Sequence, residues 1–173
     1  MRGLIDSLWR LGLRLAYRGL LVWWIVRRPE KHGSHIAVWH GERVLVIQNS
    51  YRRLLSLPAG GRKRGETLLA AAVRELREEV GIRVEPHELS YHGEVVHRSR
   101  HAEDHAHVFE LRCASAPEVS VDRREVISAE FLAPDDALAR GVIGVVRMYF
   151  EAASRAQRAQ VSRSEPKASE DQQ

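Results

Sequence analysis

An α/β sandwich, with a mixed sheet between helices, is the fold class that three features of the chain predict. Runs rich in β-formers lie on both sides of a helical stretch at 68–80, and a second helical pattern runs from 142 to 159. A content of 44% apolar and 29% charged residues over 173 positions suits one buried core. The domain is expected over 33–153. An amphipathic helical arm over 1–30 precedes it, and a polar tail without aromatic residues, 162–173, is expected to be disordered.

In the arm, Arg2, Asp6, Arg10, Arg14 and Arg18 recur every four residues with leucines, Ile5 and Trp9 between them, the pattern of a helix with a polar stripe. The apolar run 19–26 is far shorter than the ~20 residues a bilayer span needs, and Arg14 and Arg18 block its extension backwards. No small-residue cleavage site follows an unbroken apolar region, so no secretory signal is read. Pro29 closes the element. Three readings stay open: packing on its own domain or on a dimer mate, lying in a membrane interface through residues 1–28, or serving as a short anchor.

Charge is placed unevenly. Residues 1–28 hold six arginines against Asp6, a net +5 that leaves −1 for the remainder of a chain whose total is +4. The basic excess belongs to the arm, so no nucleic-acid-binding face is expected of the domain. The single cysteine, Cys113, excludes an internal disulfide and agrees with a reducing, cytoplasmic compartment, peripheral at the inner membrane surface if the arm binds lipid.

From Ser34 the pattern turns to β. Ile36, Val38 and residues 44–47 read as two strands joined by a tight turn at His40-Gly41-Glu42. Residues 49–57 then lead into a loop punctuated by Pro58, Gly60, Gly61 and Gly65. Thr67 suits an N-cap, 68–80 has helical composition, and Gly81 stands where a left-handed residue ends a helix. At about 100° per residue, Glu75, Glu78 and Glu79 share one arc while Leu69, Val73, Leu76 and Val80 share another. Like charges at i, i+3 and i+4 repel by roughly 0.2–0.5 kcal/mol per pair, so three convergent carboxylates point to a multivalent cation. Oxygen donors without histidine or cysteine favour Mg²⁺ or Mn²⁺ over zinc.

Downstream, strands are expected over 82–84, 89–97, 106–113, 119–121 and 128–132. The segment 96–108 holds His97, His101, His105 and His107. It reads as a polar, substrate-facing or exposed loop rather than a zinc site, although His105 and His107 would share one strand face. Arg52 and Arg53 stand before the glycine-rich loop and Arg62, Lys63 and Arg64 inside it, a group suited to phosphate.

The stretch from Gly60 to Ile82 resembles the Nudix box. Gly60, Glu66, Arg74, Glu75, Leu76, Glu78, Glu79, Gly81 and Ile82 occupy its fixed places, and none is missing over these 23 residues. The resemblance implies a Nudix-type α/β/α sandwich and hydrolysis of a nucleoside diphosphate linked to another moiety. It implies that Glu75, Glu78 and Glu79 bind Mg²⁺ or Mn²⁺, with a backbone carbonyl of Ala59 or Gly60 completing the shell. Arg74 would fix a glutamate carboxylate, and Glu66 would brace the loop or the metal shell.

In the family the catalytic base varies in position; here Glu78 is the first candidate, with Glu103, Asp104 and Glu125 after it. Arg52, Arg62, Arg64, His97 and Glu103 are candidate substrate contacts. The family more often has acidic or aliphatic residues at 62–64 and Gly at 59, departures that bear on the substrate and not on the metal. Residues 57–61, Leu-Pro-Ala-Gly-Gly, are similar to members acting on ADP-ribose. The alternative reading is a catalytically weak nucleotide sensor of Nudix fold at a membrane surface.

Overall fold

The computed structural model describes residues 2–27, 30–98 and 103–164, with side chains placed over 5–23, 32–98 and 103–155. In order these form α1 (Arg2–Arg27), β1 (Glu30–His40), β2 (Arg43–Asn49), β3 (Ala59–Gly61), α2 (Leu68–Val80), β4 (Ser90–Arg98), β5 (Glu103–Cys113), β6 (Val126–Leu132), α3 (Pro134–Arg140) and α4 (Gly144–Ser164). The tail expected over 162–173 lies, from 165 on, outside the described residues, as does His101.

The sheet is mixed, as expected, with strand order β4-β5-β1-β2-β6 and β3 added to β1. β1 and β5 run parallel from Glu30↔Glu103 to His40↔Cys113, and the other pairs are antiparallel. On its other edge β1 meets β2 only at Trp39 and His40, beyond the turn at Gly41, and meets β3 at Gly33, Ser34 and His35. The glycine-rich loop therefore enters the sheet beside β1.

Each face of the sheet carries helices, because alternate residues of β1 are apolar on both sides. Ile36 and Val38 pack with Ala72, Leu76 and Val80 of α2 and with Phe109 and Leu111 of β5. Ala37 and Trp39 pack on the other face with Val146, Tyr149 and Phe150 of α4. Inside that second layer the Trp39 indole donates to the Tyr149 hydroxyl at 3.1 Å, which donates to Glu110 at 2.6 Å. The polar atoms of both buried aromatics are thereby satisfied.

Two expected strands are absent. Residues 82–84 and 119–121 are irregular, and their apolar side chains pad the α2 layer, with Ser120 N–H donating to the Val80 carbonyl at 3.0 Å. Short apolar runs do not distinguish a strand from core padding. Conversely, Ala59–Gly61, expected as loop, is a short strand, and 103–105, expected as loop, belongs to β5. α3 was not expected; it begins with Pro134 at the first helical position and Asp135 and Asp136 in the first turn.

The arm turns its polar stripe inward. Arg10 donates to the Arg123 carbonyl at 2.9 and 2.6 Å, Arg14 donates to the Ser50 carbonyl at 3.0 Å, and Arg124 pairs with Asp6 at 3.1 Å. Tyr17 packs on Tyr51 with ring centroids 5.1 Å apart. The opposite face leaves Ile5, Leu8, Trp9, Leu15 and Trp23 exposed. Among the described residues, no helix is long and apolar enough to cross a membrane.

Candidate active site

α2 is held at both ends as its sequence predicts. Thr67 accepts from the Ala70 N–H at 3.1 Å, and Gly81, at φ 73°, returns its N–H to the Leu76 carbonyl. The helix thus presents Leu76 and Val80 to the core and Glu75, Glu78 and Glu79 to the glycine-rich loop and β3. A Cβ at position 60 would occupy the space of the Glu75 carboxylate, so Gly60 lets that carboxylate stand against the loop.

Arg74 ties the loop to the helix. Its guanidinium grips Glu66 with two bonds of 2.9 and 3.0 Å, reaches Glu75 at 2.5 Å and Glu78 at 3.1 Å, and donates to the Gly61 carbonyl at 2.9 Å. Glu66 also accepts the Lys63 N–H at 2.8 Å. The Arg74 bonds first, and the Lys63 N–H next, hold the Glu66 carboxyl down to about 2, while the same pairing raises Arg74. One planar fork therefore orders the loop and two of the three helix carboxylates.

Glu79 is the buried member, 8% exposed, with the Ala59 N–H donating to it at 2.8 Å. Burial pushes its carboxyl up to about 8; the backbone bond opposes this, and the charges of Glu75 and Glu125 add to it. Burial also raises Glu75, against the pull of Arg74. Burial thus makes two adjacent carboxyls on one wall harder to ionise, one of them despite the Arg74 guanidinium beside it.

These side chains open on a cavity of about 1150 Å³. Of the residues singled out in the sequence, Arg52, Arg62, Arg64, Glu66, Glu75, Glu78 and Glu79 line it, with Ala59 and Gly60 in its wall. Arg74 stands behind the carboxylates. His97 and Glu103 are not brought to this wall: His97 packs on the backbone of Gly144 at the start of α4, and Glu103 pairs with Arg98 at 2.9 Å. Glu103 leaves β5 on the same face as His105 and meets it at 3.4 Å, so its distance from the wall comes from its pairing with Arg98 and His105 and not from strand alternation.

Asp104 and Glu125, the later candidates for a base, do line the cavity. Glu125 accepts the Tyr51 hydroxyl at 3.3 Å, and Tyr51, whose own ionisation burial makes harder, lines the same wall. Neither Tyr51 nor Asn49 was anticipated, and no local spacing marks them. His32 and His105 form another part of the wall. There His105 meets Glu94 at 2.6 Å, a bond that holds Glu94 below the usual carboxylate range, while burial lowers His107.

The NUDIX domain model matches residues 29–151. The chain belongs to the Nudix hydrolase family. A comparison with curated protein sequences returns no match. Among solved structures, the MutT NUDIX hydrolase of Burkholderia pseudomallei is similar over 70% of this chain and 96% of its own, at 23% identity and a TM-score of 0.62. The NUDIX domain of Shewanella oneidensis NrtR, solved with ADP ribose, is similar over 74% of this chain and 88% of its own, at 16% identity and a TM-score of 0.63. An Ap4A hydrolase of C. elegans covers 70% of this chain and 98% of its own, at 18% identity and a TM-score of 0.54. At these identities the likeness is one of fold, and the Nudix box of this chain rests on its own residues.

Proposed function

We propose that this Nudix domain hydrolyses the pyrophosphate bond of a nucleoside diphosphate linked to another moiety, in a reaction that depends on Mg²⁺ or Mn²⁺. The observation that carries the reading is Glu79, a buried carboxylate beside Glu75 on the wall of a cavity that is otherwise rich in arginine and lysine. A divalent cation would offset the cost of ionising these buried carboxyls, and an all-oxygen donor set fits a hard ion. Glu75, Glu78 and Glu79 would hold it. The Ala59 N–H points away from β1 toward Glu79, and in an antiparallel strand the carbonyl of the same residue leaves on the same side, so Ala59 is positioned to add an oxygen. When bound, such an ion neutralises the diphosphate and lowers the pKa of the attacking water.

The chain's own groups do the rest. Arg52, Arg62, Lys63 and Arg64 bind the phosphates and orient the bridging oxygen away from the attacking water. We assign the water's proton to Glu125, which faces the cavity with the Tyr51 hydroxyl bonded to it; Glu78, the first candidate from the sequence, is given to the metal instead. The new P–O bond forms as the bridging P–O bond breaks, leaving a nucleoside monophosphate and a second phosphorylated product. Arg74 and Glu66 keep the loop and carboxylates in place.

The test is turnover of nucleotide sugars, dinucleoside polyphosphates, ADP-ribose and nucleoside triphosphates with Mg²⁺ or Mn²⁺. Release of a nucleoside monophosphate from one of them supports the proposal. Binding across the panel without product would favour the nucleotide sensor instead.

A second reading concerns the arm. We infer that the outward face of α1 lies on a membrane surface, because Leu8, Trp9 and Trp23 are 61%, 56% and 51% exposed while the polar stripe is already engaged by the domain. The protein would then work in the cytoplasm, peripheral to the inner membrane. Full-length protein should pellet with anionic vesicles, and Leu8→Glu with Leu15→Glu should stay in the supernatant. A dimer in solution that the same pair dissociates would assign the face to a second copy.

A further inference from the structure

A second convergent donor set lies on the sheet itself. β1, β4 and β5 bring His32, Glu94 and His107 together so that one ligand atom from each lies within 4.8 Å of the others. Two imidazole nitrogens and one carboxylate oxygen, with room for solvent at a fourth position, are the donors of a three-residue zinc centre. Imidazole sets this group apart from the all-oxygen cluster on α2, since hard cations such as Mg²⁺ do not select it.

The frame around these donors is already oriented. Glu94 pairs directly with His107 across β4 and β5, and His32 faces His105 across β1 and β5. His105 Nδ1 holds Glu94 at 2.6 Å, and the Tyr91 hydroxyl engages His107 Nδ1 at 3.1 Å, which turns His107 Nε2 toward Glu94 at 3.8 Å. Partners of this kind fix ring and carboxylate orientation in metal centres. His32 stacks over His105 and His107 with centroids 4.6 and 5.8 Å away. The His107–Glu94 pair stands at 3.8 Å and the whole set within 4.8 Å, against the roughly 3.3–3.5 Å separation of ligands around one zinc at bonds of about 2.0–2.2 Å, so binding draws each donor inward by about 1 Å or less.

We propose that His32, Glu94 and His107 form a second divalent-metal site, selective for Zn²⁺ or a similar borderline ion, with His105 and Tyr91 as its positioning residues. The exposed His32 and Glu94 leave it open to solvent. Through His32 the ion would stand on the wall of the cavity that the α2 carboxylates line, adding positive charge on another side of it.

The test uses tag-free, chelator-treated full-length protein in excess Mg²⁺, titrated with Co²⁺ as an optical probe. The site predicts an intense visible band of low-coordinate Co²⁺ that saturates at one equivalent and is bleached by Zn²⁺. His32→Ala and His107→Ala should each weaken binding about 10–100-fold or abolish the band, whereas Glu75→Gln with Glu79→Gln should keep it. If His107→Ala does not fold, His32→Ala at an exposed position carries the test. Absence of the band, or a band indifferent to both histidine variants, overturns the proposal.

Discussion

The two donor sets of this Nudix domain, one lining the cavity and the other reaching it through His32, are built in opposite ways. Glu75, Glu78 and Glu79 come from little more than one turn of a single helix and are braced by Arg74. His32, Glu94 and His107 come from three strands, and only sheet register brings them together. The first is a local constellation of hard oxygens under strong electrostatic stress. The second is a long-range constellation whose imidazole rings and carboxylate are already held by hydrogen bonds to one another and to their neighbours. The difference separates their ion preferences and predicts that each can be removed without the other.

The largest effect belongs to the carboxylates. Glu78→Gln should lower kcat by about 10³-fold or more while the circular dichroism spectrum stays native, because the residue is exposed and its charge acts on the reacting groups. In the same spirit, His32→Ala should leave Mg²⁺ uptake by the carboxylates unchanged in a calorimetric titration. A loss of Mg²⁺ uptake there would merge the two sites into one.

Next comes the loop. Gly60→Ala forces the Glu75 carboxylate out of its place, and a displacement near 1 Å at a reacting centre costs about 10²-fold in rate. Steady-state kinetics on a folded variant measures it. Arg74→Lys keeps the charge and loses the paired grip on Glu66, which should lower the urea midpoint of unfolding.

The smallest expected effect is a slope. Glu79, raised from 4.5 to about 8 in the fold, keeps its proton where the unfolded chain has lost it, so its contribution to stability declines as pH rises from near 4.5 toward 8. Glu66 acts the other way and loses its contribution as pH falls from 4.5 toward 2. Magnesium should therefore raise the thermal midpoint more at pH 8 than at pH 5. Equal increments at both values would remove Glu79 from the metal site.

The same contrast explains what could be read from the residues alone. The box helix, its caps and its carboxylate face were legible because every determinant lies within one turn or one cap of its partner. The histidine cluster was not, since 94 and 107 become neighbours only through the β4–β5 register, and 32 only through the parallel pairing of β1 with β5. His97 and Glu103 were proposed as substrate contacts from a polar segment, and their actual neighbours, Gly144 for His97 and Arg98 with His105 for Glu103, are long-range or rotameric features that no local pattern gives. The arm's amphipathicity was evident, but which face turned inward depended on the Ser50 and Arg123 carbonyls of distant loops. Residues 82–84 and 119–121 carried strand composition because the core needed padding there, not a ladder.

The most direct test is calorimetric titration of the full chain with Mg²⁺ and Mn²⁺ at pH 7, in buffers of different ionisation enthalpy, beside Glu79→Gln. We predict saturable uptake that releases protons in the wild type, because Glu79 must ionise to bind, and uptake that is weaker and releases fewer protons in the variant. No uptake of either ion, or the same uptake and proton release in both proteins, would contradict the assignment of these carboxylates as the metal centre.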